Sequence, residues 1–279
     1  MFKAHRKRLL GYALMAFSIL FLLTAWPAST SPSTRTPSTP TPLDSSSSSL
    51  RSLARQRDFF IGSAVNYDAL ENEPLYRQAL AREFNLVTAE DSMKFDHTEQ
   101  QPGVFTFGEG DTILAFARAH GMTVRGHNLV WYRALPDWIA KGTFTRDQLI
   151  AILRDHIMTE VSHYRGTVNI WDVVNEAIDD NGNLRDSIWL RVIGPDYIDM
   201  AFRWAHEANP QALLFYNDYG GEGLNHKSDA IYALVKGLVS RGVPINGVGL
   251  QMHVSLDRYP SPHDVLANMQ RLAALGLQV

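Results

Sequence analysis

The sequence predicts an α/β fold of the (β/α)8 barrel class, written here as about six βα units plus the start of strand seven. Three observations predict it. From about Arg55 onward, short apolar runs alternate with longer helical patterns, and such alternation builds a parallel sheet. Glycines stand where helices should stop. Polar residues recur at the C-terminal end of one strand after another, the face on which a β/α barrel carries its chemistry.

The elements follow in order. Strand Phe59–Ala64 comes first, then helix Pro74–Glu83 and strand Leu86–Ala89. Helix Asp111–His120 is stopped by Gly121 and followed by strand Thr123–His127. Helix Arg146–Tyr164 opens with Thr145 and Gln148 spaced as a capping box, and strand Ile170–Val174 succeeds it. Helix Pro195–Ala208 leads to strand Leu213–Asn217. Helix Lys227–Arg241, ended by Gly242, leads to strand Gly247–Gln251. Helix Pro262–Leu275 ends at Gly276, and Leu277-Gln278-Val279 reads as the first residues of a seventh strand. Glu90, His127, Glu176, Asp218 and Gln251 each fall at or just after a strand end. The run Trp171-Asp172-Val173-Val174-Asn175-Glu176-Ala177 is the most informative, because it delivers a carboxylic acid to the mouth of the barrel.

Composition bounds the function. A chain of 279 residues holds one large domain or two small ones, and barrels of this class typically need about 250. With 45% hydrophobic and 20% charged residues, the composition is that of a soluble globular protein. The net charge of −3 includes Lys3, Arg6, Lys7 and Arg8, which lie in a leader without acids, so the remainder is more acidic still. That sign argues against nucleic acid, which needs a basic patch. The absence of cysteine excludes disulfides, thiolate metal sites, cysteine nucleophiles and a lipid-modified cysteine.

The leader is basic from Lys3 to Arg8 and almost wholly apolar from Leu9 to Trp26, with Ala25 and Ala28 as candidate small residues near a cleavage point. Residues 1–28 read as a signal peptide, or alternatively as an uncleaved membrane anchor, since the apolar run is about long enough to span a bilayer. Either sends the downstream domain out of the cytoplasm, and the expected location is extracellular. From Ser29 to Ser49 every residue is Ser, Thr or Pro except Arg35, Leu43 and Asp44. Such a stretch has nothing apolar to bury, so residues 29–54 are expected to be a disordered linker and residues 55–279 the barrel.

The segments that identify the barrel are Phe59-Phe60-Ile61-Gly62-Ser63-Ala64 and Phe84-Asn85-Leu86-Val87-Thr88-Ala89-Glu90 with Met93-Lys94. Then come Arg125-Gly126-His127-Asn128-Leu129-Val130-Trp131 with Leu135-Pro136-Asp137-Trp138, the Trp171–Ala177 run, and Gly247-Val248-Gly249-Leu250-Gln251-Met252-His253. In this order and spacing the chain, from about Phe59 to its last residue, resembles the family 10 glycoside hydrolases, best known as endo-β-1,4-xylanases. The resemblance implies a retaining enzyme acting on xylan and xylo-oligosaccharides, with no metal or cofactor, monomeric when complete. It implies Glu176 as general acid/base and Asn175 as a hydrogen-bond partner of the sugar 2-hydroxyl. It implies sugar contacts from Glu90, Asp91, Lys94, His127, Trp131, Gln251 and His253, with His253 orienting the nucleophile. It places Tyr219 beyond the scissile bond.

The chemistry fits independently. Glycosidic cleavage needs an acid on the leaving oxygen and a carboxylate facing the anomeric carbon, about 5–5.5 Å apart in retaining enzymes. Plainer roles stand beside several of these residues. His127 can be a hydrogen-bonded core histidine, and Glu90 can pair with Lys94 on the rim. Trp138 and Trp171 read as core, and Asp172 as a buried, hydrogen-bonded acid. His127 and His253 lack a third partner at metal-ligand spacing. Two positions depart from the family pattern: Asp91 replaces the usual asparagine, and Tyr132 the usual histidine. Asp91 can only accept hydrogen bonds, where an amide also donates.

The family's nucleophile is a glutamate at the end of strand seven, and the sequence reaches Val279 within the start of that strand. The expectation is an incomplete gene or sequence, so that residues 1–279 alone are inactive and fold poorly, with open sheet edges. Two other functions compete with the xylanase. One is a non-catalytic xylan-binding or degenerate barrel protein. The other is a different retaining barrel glycosidase, a cellulase or mannanase.

Overall fold

The computed structural model describes residues 49–279. The expected leader and all of the expected linker up to residue 48 lie outside the described residues. Six strands form one parallel sheet in chain order: β1 Gly62–Val65, β2 Leu86–Ala89, β3 Thr123–Val130, β4 Ile170–Asn175, β5 Leu213–Asp218 and β6 Gly247–Leu250. The helices are α1 Leu50–Arg55, α2 Tyr67–Asn72, α3 Pro74–Glu83, α4 Phe95–Thr98, α5 Gly108–Ala119, α6 Asp137–Ala140, α7 Arg146–His163, α8 Tyr197–Ala208, α9 His226–Ser240 and α10 Pro262–Ala273. A π-helical turn, Trp189–Ile193, precedes α8. This is the strand and helix sequence of a (β/α)8 barrel, six units of it.

The local chemistry explains the elements. Central strands β4 and β5 bury both faces, as parallel strands covered by helices do; Trp171, Val173, Leu214 and Tyr216 are inaccessible to solvent. On α8 the residues Tyr197, Ile198, Ala201, Phe202, Ala205 and Ala208 form one buried stripe at helical spacing. The capping box of α7 is formed: Gln148 N donates to Thr145 Oγ1 at 3.3 Å, and Thr145 N donates to Gln148 Oε1 at 2.9 Å. Gly121, Gly242 and Gly276 all take left-handed φ, at 59°, 62° and 84°, at the expected helix ends. Gly126 is required for a different reason. A Cβ there would lie 2.3 Å from the ring of Trp171, so β3 passes over the indole only because it has no side chain at that point.

Register sets up the site. Pairing runs Thr88↔Arg125, His127↔Asp172, Asn175↔Asn217 and Asp218↔Leu250, which brings the C-terminal ends of the strands to one edge of the sheet.

Strand β3 runs on past His127 to Val130, α5 starts at Gly108 rather than Asp111, and α2, α4 and α6 were not expected; three further differences have a local cause. Strand β1 begins at Gly62, not Phe59. Asn85 accounts for the shift: its Oδ1 accepts from Ile61 N at 2.8 Å and its Nδ2 donates to Phe59 O at 3.0 Å, so these two backbone groups are bonded to a side chain, while Ile61 O already accepts from Leu86 N at 3.2 Å. Phe59 and Phe60 are left 64% and 58% exposed. Secondly, α1 occupies the end of the expected linker. Ser49 caps it, and Arg51 donates to Ala81 O and Gly121 O, each at 3.1 Å, and to His120 O, joining it to the ends of α3 and α5. Thirdly, the helical run before α8 starts earlier, at Trp189, and is broken by Gly194 at φ 95°.

The start of a seventh strand is present. Gln278 N donates to Asn246 O and Val248 N to Gln278 O, both at 2.9 Å, a parallel bridge against β6. Among the described residues, β1 pairs only with β2, and the sheet is open.

Candidate active site

Glu176 directly follows the last residue of β4 and is 8% exposed. Its two carboxyl oxygens are engaged from different strands. Trp131 Nε1, just past β3, donates to Oε2 at 3.0 Å; Gln251 Nε2, just past β6, donates to Oε1 at 3.1 Å. The backbone is held as well: Glu176 N donates to Asn217 O and Arg185 Nε donates to Glu176 O, both at 2.8 Å. Its φ is +57°, in the left-handed region.

Asn175 is buried beside it. Its Oδ1 accepts from Asn217 Nδ2 at 2.8 Å and from Gln251 Nε2 at 3.2 Å. Gln251 thus joins both members of the Asn-Glu pair.

His127 shares a bond with Asp172, Nδ1 to Oδ2 at 3.0 Å. Arg125 Nε reaches the same carboxylate at 3.1 Å, while its guanidinium lies 4.6 Å from the centre of the Phe215 ring. Burial alone would raise the Asp172 pKa, but Arg125 and His127 outweigh it and hold the carboxyl below the usual range. An ionised Asp172 accepts from His127 Nδ1–H, and His127 Nε2 lies 3.4 Å from Asn128 Nδ2.

These side chains line a cleft of about 720 Å³, together with Ser63, Glu90, Asn217 and His253. Its carboxyl groups, among the described residues, are Glu90, Asp172 and Glu176. Neither Asp91 nor Lys94 is part of this lining. Lys94 Nζ pairs with Asp91 Oδ1 at 2.6 Å and lies 5.2 Å from the centre of the Trp131 ring. The rim pair is therefore Lys94 with Asp91, not with Glu90: three residues apart, the Asp91 carboxylate is within reach across one turn. Trp171 is fully buried, and Trp138 packs against the core while its Nε1 donates to Glu99 O at 3.2 Å.

Tyr219 lies in an adjoining hollow of about 680 Å³, which shares His253 with the cleft. Its hydroxyl donates to Asp180 Oδ1 at 2.7 Å and accepts from Arg185 Nη2 at 3.1 Å, and Lys227 Nζ sits 3.4 Å from its ring centre. Asp218 turns away from both spaces. It is fully buried, bonded to Tyr216 Oη and Tyr219 N, with Lys227 Nζ at 3.1 Å.

Four residues that touch this machinery were not among the expected site residues: Arg185, Asn217, Asp180 and Lys227. Asn217 had one clue, its place at the end of a strand next to Asn175. Arg185 stands nine positions after Glu176 in a loop without periodicity. Among the described residues, no group of three or more His, Asp or Glu side chains is arranged to hold a metal ion.

A family profile described as glycosyl hydrolase family 10 matches residues 49–279. The chain is 43% identical over 232 residues to endo-1,4-beta-xylanase B of Thermotoga neapolitana, covering 82% of this chain and 67% of that protein. It is 42% identical over 236 residues to endo-1,4-beta-xylanase A of Thermoanaerobacterium saccharolyticum, covering 80% of this chain and 20% of that one. The crystal structure of xylanase 10B from Thermotoga petrophila RKU-1 in complex with xylobiose matches with a TM-score of 0.80 at 42% identity, over 83% of this chain and 71% of that chain. The chain spans only part of each of these relatives. Its barrel strands, its Asn175–Glu176 pair at the mouth and the extent of the match agree: the chain belongs to glycosyl hydrolase family 10.

Proposed function

We propose that this chain is the acid-bearing part of an exported endo-β-1,4-xylanase that cleaves internal xylosidic bonds with retention. The single observation that carries the reading is the convergence on Glu176: two donors from two strand ends fix its carboxyl in the cleft. Xylobiose in the solved relative supports a xylose polymer as the ligand.

In the proposed reaction, Glu176 gives its proton to the glycosidic oxygen as the bond to the anomeric carbon breaks. A second carboxylate attacks that carbon from the opposite face and forms a glycosyl ester. Glu176, now ionised, takes a proton from water, which releases the sugar with its original configuration. Asn175 hydrogen-bonds the 2-hydroxyl. The imidazole of His127 and the indole of Trp131 receive the same sugar, and Glu90, Asp91 and Lys94 the next one. Tyr219 receives the leaving-group side.

The second carboxylate is not found in the described cleft. Asp172 is committed to Arg125 and His127, and Glu90 is assigned to sugar hydroxyls. We place the nucleophile on the strand that begins at Leu277–Gln278, next to Gln251, with His253 as its orienting partner. Residues 1–279 alone then bind xylo-oligosaccharides without turning them over. Export rests on the basic and apolar leader.

The test is hydrolysis of xylan by the full-length gene product, followed by proton NMR of the first anomer released. Xylo-oligosaccharides with the β-anomer first are expected. Residues 1–279 alone are expected to release none. An initial α-anomer would reject retention. Reducing-sugar release by residues 1–279 at the full-length rate would reject the placement of the nucleophile. Xylo-oligosaccharide binding by the full-length product without turnover would favour a binding protein.

A further inference from the structure

We infer that Arg185 is a positioning residue for Glu176, fixing the backbone of the acid and tying it to Tyr219; this rests on the reading of Glu176 as the general acid. A non-glycine residue in the left-handed region costs about 1–2 kcal/mol, and such a conformation persists where the surroundings over-determine it. At Glu176 two bonds do this. One, from Glu176 N to Asn217 O, belongs to the neighbouring strand. The other comes from the Arg185 side chain, Nε to Glu176 O at 2.8 Å.

The rest of the guanidinium and the Arg185 backbone extend the same clamp. Arg185 Nη2 donates to Ile178 O at 2.9 Å, and Arg185 N donates to Ala177 O at 2.7 Å. One residue therefore binds the carbonyls of three successive positions, Glu176, Ala177 and Ile178. The group is planar and permanently charged, so its fork is rigid at every working pH. It is held in plane by aromatic faces: the centre of the Tyr132 ring lies 4.4 Å from its Cζ and that of Tyr219 5.7 Å. Nη2 also reaches the Tyr219 hydroxyl at 3.1 Å. Behind Glu176, Trp131, Tyr132, Arg185, Trp189 and Tyr197 border a void of only about 10 Å³, too small for the acid to recoil into. Trp189 Nε1 donates to Trp131 O at 2.8 Å, which steadies the other partner of the carboxyl.

The consequence is specific to proton donation. A misplaced acid slows departure of a poor leaving group and matters little for a good one, which departs unprotonated. The test measures kcat/KM, which reports the bond-breaking step, in the full-length gene product. The substrates are phenyl and 2,4-dinitrophenyl β-xylobioside. Arg185→Met is expected to lose about 100-fold on the phenyl substrate and less than about 3-fold on the dinitrophenyl one. Arg185→Lys is expected to recover part of the phenyl loss. Tyr132→Leu keeps the guanidinium but removes the aromatic face that holds it in plane, and it is expected to lose about 10-fold on phenyl alone. This second variant decides the matter where Arg185→Met does not fold. Equal losses on both substrates, or no loss on either, would overturn the positioning role. A wild type inactive on both would overturn the xylanase reading and this inference with it.

Discussion

At the scale of single residues, the site is built from groups that restrain one another. Asp172 shows how. It is 2% exposed, and its ionised form is retained because Arg125 and His127 lie against it. Removing the charge from a buried pair leaves partners uncompensated, and Asp172→Asn is expected to cost about 3 kcal/mol in urea denaturation at neutral pH. The sign of the pH dependence follows. The folded pKa is depressed, so the stabilisation is present above the ordinary carboxylate range, near pH 3.9, and is lost as pH falls through the folded value. The gap between wild type and variant should therefore close in acid, and a gap that widens there would contradict the pairing. Much of this scale was legible. The Asn175–Glu176 pair was readable because a strand end points its side chains into the mouth. Arg185 and Asp180 were not, because a loop has no period to read and its contacts depend on where the chain folds back. The rim pairing was also hidden, since nothing in the spacing said which carboxylate Lys94 would choose.

At the scale of elements, two contacts between helices deserve tests. On α7, His156 Nε2 lies 3.2 Å from Glu160 Oε2, and its Nδ1 lies 3.3 Å from Glu99 Oε2, all without solvent. Burial pushes the Glu160 carboxyl well above its usual range and lowers the imidazole of His156, so both favour their uncharged forms. For Glu160 the folded pKa lies above the unfolded one, so its stability is complete in acid and declines as pH rises through the folded value. Glu160→Gln removes that titration. The melting-temperature difference, variant minus wild type, should grow from pH 4 to pH 9, and a difference that shrinks would refute the assignment. On α1, the three carbonyl bonds of Arg51 are expected to make Arg51→Ala about 1–2 kcal/mol less stable by urea midpoint. An unchanged midpoint would mean that α1 is not anchored. The elements with strong periodicity or caps, such as α3 and α7, were readable almost to the residue. Helix α1 was not, because its sequence adjoins a Ser/Thr/Pro run and its anchor points are 30 to 70 residues away. The start of β1 was missed because Asn85 competes for its backbone.

At the scale of the whole described domain, the strand order was legible because each βα unit repeats one pattern, and each unit lies beside its neighbour in sequence. What periodicity does not convey is which apolar faces stay uncovered. Phe59 and Phe60 stand ahead of β1, and Leu266 and Met269 are 56% and 37% exposed on α10. Exposed apolar patches and an unpaired edge favour association. Residues 1–279 alone are expected to bind an apolar fluorescent dye and to unfold over a broad range of urea. A sharp cooperative transition without dye binding would contradict this.

Both the proposed function and the role of Arg185 stand on Glu176 as the proton donor. The most direct measurement is kcat/KM on xylan for Glu176→Gln in the full-length gene product, with circular dichroism and xylotriose affinity as controls for folding. With both controls unchanged, a loss of about 10³-fold or more is expected. Hydrolysis within about tenfold of wild type would show that another group protonates the leaving oxygen.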